Sequence, residues 1–256
     1  MLDKILASKQ QEVDAAKRHV SLAELKARVA HHEPTRSFRG AITTPGKLSL
    51  IAELKRKSPS KGMLRERFDP VSLAQTLQDA GASALSVLTD EPFFGGHLEL
   101  LRDVQQFTEI PVLRKDFVID EYQLYEAAWY GADAVLLIAR ILSTTQLRDY
   151  VQTANAVGVE PLVEIHTEAE IERALASGTH MIGINTRDLD TFQMQPRLVE
   201  QLLPRISQGT TVIAESGLQN AEEIGQLKQL GVHAVLIGEA LMTAPDVGAK
   251  VRELFP

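Results

Sequence analysis

Short apolar runs recur along the chain at nearly even spacing, each followed by a polar loop and a stretch of helical periodicity. From about residue 48 the runs are 48–54 (LSLIAEL), 84–88 (ALSVL), 111–115 (PVLRK), 134–138 (AVLLI), 161–165 (PLVEI), 181–185 (MIGIN), 211–215 (TVIAE) and 234–238 (AVLIG). Each has strand length and is bounded by turn residues, which predicts eight strands. Helix starts lie between them. Asp69-Pro70 sets an N-cap before a proline at the first helical position. Ser143/Gln146, Thr167/Glu170 and Asn220/Glu223 have capping-box spacing, and Asp120/Gln123 resembles them. Gly81, Gly131, Gly158, Gly178 and Gly231 each fall shortly before a strand, where a left-handed residue ends a helix. Strict alternation of strand and helix implies parallel strands, so the class is α/β. Eight units in about 200 residues fit a closed (β/α)8 barrel of TIM type better than an open doubly wound sheet.

The residues before the first strand stand outside this repeat. Residues 3–18 and 21–31 read as helices, the second opened by Ser21 with Glu24 three positions on, and Pro34 and Pro45 punctuate the route onward. Residues 1 to about 45 are therefore expected as a helical extension of a single barrel domain spanning about 46–256. It is too small for its own core and should pack over the barrel floor or at the rim of the active site.

Composition narrows the classes. With 44% hydrophobic and 24% charged residues the chain reads as globular rather than disordered. The longest apolar runs, such as AVLLIA at 134–139, are too short to cross a bilayer. The N-terminus lacks the continuous apolar region of a secretory signal and is expected to belong to the mature fold. The absence of cysteine excludes disulfides, thiolate nucleophiles and cysteine-ligated metals, and accords with a reducing cytoplasm. A net charge of -7 gives no general attraction to nucleic acid, so an anionic ligand must be held by local cations. Neither GxGxxG nor GxxxxGK[ST] occurs.

The stretch IAELKRKSPSKG at 51–62 begins as a buried strand and then carries Glu53, Lys55, Arg56 and Lys57. By strand alternation Ile51, Glu53, Lys55 and Lys57 share one face. Similar groups end other strands: Lys115 on the third, Glu164 on the fifth, Asn185 and Arg187 on the sixth, Glu215 and Ser216 on the seventh. In a barrel those ends form the catalytic face, and the opposite ends are expected to show no such concentration. A lone strand-end Glu or Lys is usually solvated or ion-paired. Five of eight strands ending alike at the same face argues for chemistry. AESG (214–217) and LIGE (236–239) end the seventh and eighth strands, where barrels commonly hold a phosphate on exposed backbone N–H groups. Ser216, Gly217, Gly238 and Glu239 are the candidate phosphate residues, with Arg187 or Lys55 as the cation and Ser58 as a hydroxyl.

In combination, ELKRKSPS (53–60), SVLTD with FFGG (86–96), LRKDFVID (113–120), LVEIH (162–166), IGINTRDL (182–189) and AESG closely resemble the indole-3-glycerol phosphate synthase family, and the resemblance runs the length of the chain. One departure is Glu239, where many members carry a small hydroxyl residue. The resemblance implies conversion of 1-(2-carboxyphenylamino)-1-deoxyribulose 5-phosphate to indole-3-glycerol phosphate with loss of carbon dioxide and water. Such chemistry needs a cationic acid and a carboxylate that relays a proton. Lys115 is accordingly expected as the general acid of ring closure and Glu164 as the acid/base of dehydration. Lys55 would orient the substrate, Glu53 and Asn185 would fix the geometry, and Glu215 would contact substrate. Phe94, Phe117 and Leu136 are candidates for the slot of the aromatic ring, although each could equally cap the core. His166 is expected to point to the opposite face from Glu164 and to be structural, and no metal-ligand partner is spaced for it. No metal, flavin or nucleotide cofactor is required. The expected partner is a phosphorylated small molecule, with no nucleic acid and no membrane. A monomer is expected over an oligomer, and the outer helices show no single apolar stripe assignable to a partner. Two alternatives stay open. A phosphoribosylanthranilate isomerase-like barrel would be expected to use a cysteine, and the chain has none. A silent phosphate-ligand-binding barrel would be expected to lack Lys115, Glu164 or Lys55, and all three are present.

Overall fold

In a computed structural model of the chain, described for residues 1–30 and 36–256, eight parallel strands close into a barrel. They are β1 (Ser49–Leu54), β2 (Ala84–Leu88), β3 (Val112–Lys115), β4 (Ala134–Ile138), β5 (Glu160–Ile165), β6 (Met181–Asn185), β7 (Thr211–Glu215) and β8 (Ala234–Ile237). Neighbours pair in sequence order, and β8 returns to β1 through Ser49 opposite Ala234 and Ile51 opposite Leu236. Alternation sorts the side chains. Ile51, Leu113, Leu136, Leu162, Met181, Ile213 and Leu236 fill the interior, while Leu50, Leu54, Leu137, Val163, Ile182, Val212 and Val235 pack under the surrounding helices. Both faces of each strand are thus dry, so the strands read as unbroken apolar runs.

The expected caps form. Asp69 accepts from the amide of Ser72, and Ser143 and Gln146 exchange side-chain-to-amide bonds of 3.2 and 3.0 Å. Glu170 accepts from the amides of His166 and Thr167, which fastens the turn after β5. The five glycines expected to end helices all have positive φ.

The N-terminal segment occupies both ends of the barrel rather than one. Helix α1 (Leu2–His19) lies along the C-terminal rim, with Leu2 and Ile5 buried in the cluster that holds Phe93, Phe94 and Phe117. Lys9, 2% exposed, reaches Asp90 at 3.1 Å and Asp116 at 2.9 Å, the residues that follow β2 and β3. Helix α2 (Leu22–Val29) packs against the outer helix Tyr122–Trp129. Helix α3 (Phe38–Ile42) closes the floor, with Phe38 and Ile42 fully buried in the barrel interior. The expected end of the second helix at residue 31 and the break at Pro34 lie outside the described residues.

The N-terminal strand ends do carry a concentration of polar groups, contrary to expectation, and they serve this floor. The Glu160 carboxylate accepts from the amides of Phe38 at 3.1 Å and Arg39 at 2.8 Å. Asp133 accepts from those of Arg36 and Val112, both at 2.7 Å, and Arg39 donates to Thr211 at 3.0 Å. Buried amides that no strand partner reaches must be paired by side chains. No helix among the described residues is long and apolar enough to cross a membrane.

Candidate active site

The C-terminal strand ends surround a cavity of about 990 Å³, counted to its open mouth. Every residue singled out from sequence for catalysis, substrate or phosphate lines it: Glu53, Lys55, Ser58, Phe94, Lys115, Phe117, Leu136, Glu164, Asn185, Arg187, Glu215, Ser216, Gly217, Gly238 and Glu239. Lys57 does not. β1 ends at Leu54, and Lys57 opens a small hairpin, Lys57–Ser58 against Gly62–Met63, where its ammonium donates to the Pro92 carbonyl at 2.9 Å.

Two ionic groups stand on the floor of the cavity. Lys55 contacts Glu53 at 2.6 Å. Lys115 lies 3.2 Å from Glu164 and 3.5 Å from Glu215, carboxylates only 1% exposed. Burial alone would strip the charge from Lys115, but Glu164, Glu215 and Glu53 hold its ammonium well above the usual lysine range. Burial likewise opposes ionisation of Glu53 and Glu164, yet the adjacent lysines keep both carboxyls below their ordinary value. Glu215 goes the other way. Burial and then the charge of Glu164 push its carboxyl well up, against the pull of Lys115, because two carboxylates so close resist ionising together.

Two glycines make room for these carboxylates. A Cβ at Gly183 on β6 would stand 2.0 Å from Oε1 of Glu215, and one at Gly238, just past β8, 2.4 Å from Oε1 of Glu53. Gly238, expected for phosphate, therefore also admits a carboxylate into the barrel.

At the mouth, Asn185 accepts from the amide of Arg187 at 3.0 Å, and Arg187 reaches Glu239 at 3.2 Å. Lys61, which the sequence reading did not select, pairs with the same Glu239 carboxylate. Ser58 accepts from the amide of Lys61. Ser216 and Gly217 follow β7 in the left-handed region, at φ +70° and +78°, a conformation that costs Ser216 strain and recurs at functional sites. On the apolar wall the Phe94 and Phe117 rings lie 6.1 Å apart at 37°, above the fully buried Leu136. Ile138, Leu189 and Phe192 extend this wall. Ile138 shares the parity of Leu136 and was legible by that rule. Among the described residues no group of His, Asp and Glu is placed to hold a metal ion.

His166 requires a correction. Positions two apart on an extended chain share a face, and the imidazole lies on the Glu164 side, with Nε2 3.3 Å from Oε1 of that residue.

Fold and site together define a (β/α)8 barrel whose C-terminal strand ends gather paired lysines and glutamates in one cavity. Known proteins point to the family. The family model for indole-3-glycerol phosphate synthase matches residues 2–254. An indole-3-glycerol phosphate synthase from Desulforamulus reducens is 44% identical over 99% of this chain and 96% of its own length. One from Acetivibrio thermocellus is 42% identical over 99% and 98%. A solved structure of 3-hexulose-6-phosphate synthase from Salmonella typhimurium has a TM-score of 0.63 at 14% identity, covering 81% of this chain and 96% of that one, a likeness of fold alone. The chain belongs to the indole-3-glycerol phosphate synthase family, whose members are carboxy-lyases of tryptophan biosynthesis.

Proposed function

We propose that the cavity closes the pyrrole ring of 1-(2-carboxyphenylamino)-1-deoxyribulose 5-phosphate through Lys115 and Glu164. The ring carbon that bears the carboxylate attacks the ribulose ketone, and the ammonium of Lys115 gives its proton to the ketone oxygen as charge develops there. Loss of carbon dioxide returns its bonding pair to the ring. Glu164 then takes a proton from the carbon beside the ring nitrogen and passes it to the new hydroxyl, which leaves as water. The observation that carries this reading is the placement of one ammonium between two buried carboxylates. The charge of Glu164, with that of Glu53, keeps the acid protonated, and an oxyanion on the ketone is basic enough to draw the proton off.

Lys55, held by Glu53, orients the substrate, while Asn185 and Glu215 fix the geometry of the acid–base pair. Phe94, Phe117 and Leu136 take the aromatic ring. The Ser216–Gly217 and Gly238–Glu239 backbone, with Ser58 and Arg187, takes the phosphate. The same reading makes the protein a cytoplasmic monomer, supported by its lack of cysteine and of an outer-helix apolar stripe assignable to a partner.

Indole fluorescence on addition of the carboxyphenylamino substrate tests turnover directly. Lys115→Ala should lower kcat by about 10²- to 10⁴-fold, the range of an acid–base group. Near-normal kcat with a raised KM would leave Lys115 a binding residue and end its role as acid.

A further inference from the structure

Just past β5 the chain turns into the helix Glu168–Ala176, and that turn buries an imidazole that the steps above leave unused. His166 is 2% exposed, and its Nε2 faces Oε1 of Glu164 at 3.3 Å. The other carboxylate oxygen, Oε2, is taken by Lys115 at 3.2 Å. Among the described residues neither ring nitrogen of His166, nor Oε1 of Glu164, has a hydrogen bond of good geometry. Buried polar atoms left this way are costly and concentrate where function needs them. The backbone behind the ring is fixed, because the His166 amide donates to Glu170 at 2.6 Å. The imidazole is thus held with Nε2 beside the proposed acid/base, 3.3 Å from Oε1.

We infer that His166 is a positioning residue for Glu164: the imidazole N–H at Nε2 steers Oε1 while Lys115 holds Oε2. The inference rests on the role given to Glu164 above. No proton moves through His166 in this scheme. The ring keeps its hydrogen and fixes the rotation of the carboxyl, so that Glu164 meets the substrate in one orientation when Lys115 turns to the ketone. A loosely rotating carboxyl would lose alignment, and a displacement of about 1 Å at a reacting group can cost roughly 100-fold in rate.

The test uses His166→Gln, whose amide nitrogen reaches the Nε2 position, and His166→Asn and His166→Leu, which leave no donor there. Asn and Leu should lower kcat by about 10- to 100-fold with KM changed by less than about threefold, and Gln should restore kcat to within about threefold of wild type. In a Glu164→Gln background, His166→Asn should lower kcat by less than about twofold more, because the residue acts through Glu164. Equal kcat in wild type, Asn and Leu variants would overturn the inference, as would a Gln variant as slow as a folded Asn variant, or full additivity in the double mutant. Thermal unfolding shows which variants are folded, and should Leu unfold, the Asn and Gln pair decides. Wild-type kcat in Glu164→Gln alone would instead remove the role of Glu164. A slow Glu164→Gln beside fast His166 variants removes only the role of His166.

Discussion

At Gly183 and Gly238 a single methyl group would collide with a buried carboxylate oxygen, so the absence of a side chain is itself a site feature. Gly183→Ala should displace Glu215 and lower kcat by about 10- to 100-fold while the barrel stays folded, as steady-state rates beside circular dichroism will show. Glu215 also gives a pH signature. In the unfolded chain its carboxyl loses its proton near the ordinary 4.5, whereas in the folded site the group keeps it to higher pH. Folded protein then binds more protons, and stability from this residue is lost as pH rises through that window. Glu215→Gln removes the effect, so its melting temperature should rise relative to wild type as pH increases above the ordinary carboxylate range; a constant difference would show that Glu215 ionises normally. The sequence located Glu215, but its protonation depends on Glu164 two strands away and could not be read from either motif. His166 was misplaced for a simpler reason, an alternation miscounted by one position.

Among the elements, α1 shows a signal that was present and passed over. Its buried residues are Leu2, Ile5, Lys9 and Val13, an apolar stripe at helical spacing with one lysine in it. A cation on the buried face needs buried anions, and Asp90 and Asp116 supply them. Asp90 caps the short helix that carries Phe94 by accepting from the Phe93 amide, and Asp116 sits between Lys115 and Phe117, accepting from the Phe117 amide. One ammonium therefore ties together the strand ends that carry Phe94 and Phe117, the proposed ring slot. Burial disfavours the charge on Lys9, yet Asp116 and Asp90 hold its ammonium above the usual range. Lys9→Met leaves two buried carboxylates without this partner and should cost about 3–5 kcal/mol in a denaturant titration. KM should rise as the slot loosens, and an unchanged KM in folded variant would confine Lys9 to stability.

Over the whole molecule, the barrel was legible because a closed parallel sheet buries both strand faces and writes eight separate apolar runs into the sequence. The observed strands match those runs to within a residue at either end. The polar floor was not legible, since Asp133 and Glu160 look like loop acids until α3 presents its amides to them. The arrangement has a consequence for synthesis. α1 is anchored by Asp90 and Asp116, and α3 by Glu160 and Thr211, all encoded well downstream. Contacts so distant along the chain form slowly, and a nascent chain emerges from its N-terminus. These helices leave the ribosome before the strands that hold them and must wait for a place to settle, leaving Leu2, Ile5 and Phe38 uncovered until most of the barrel has been made.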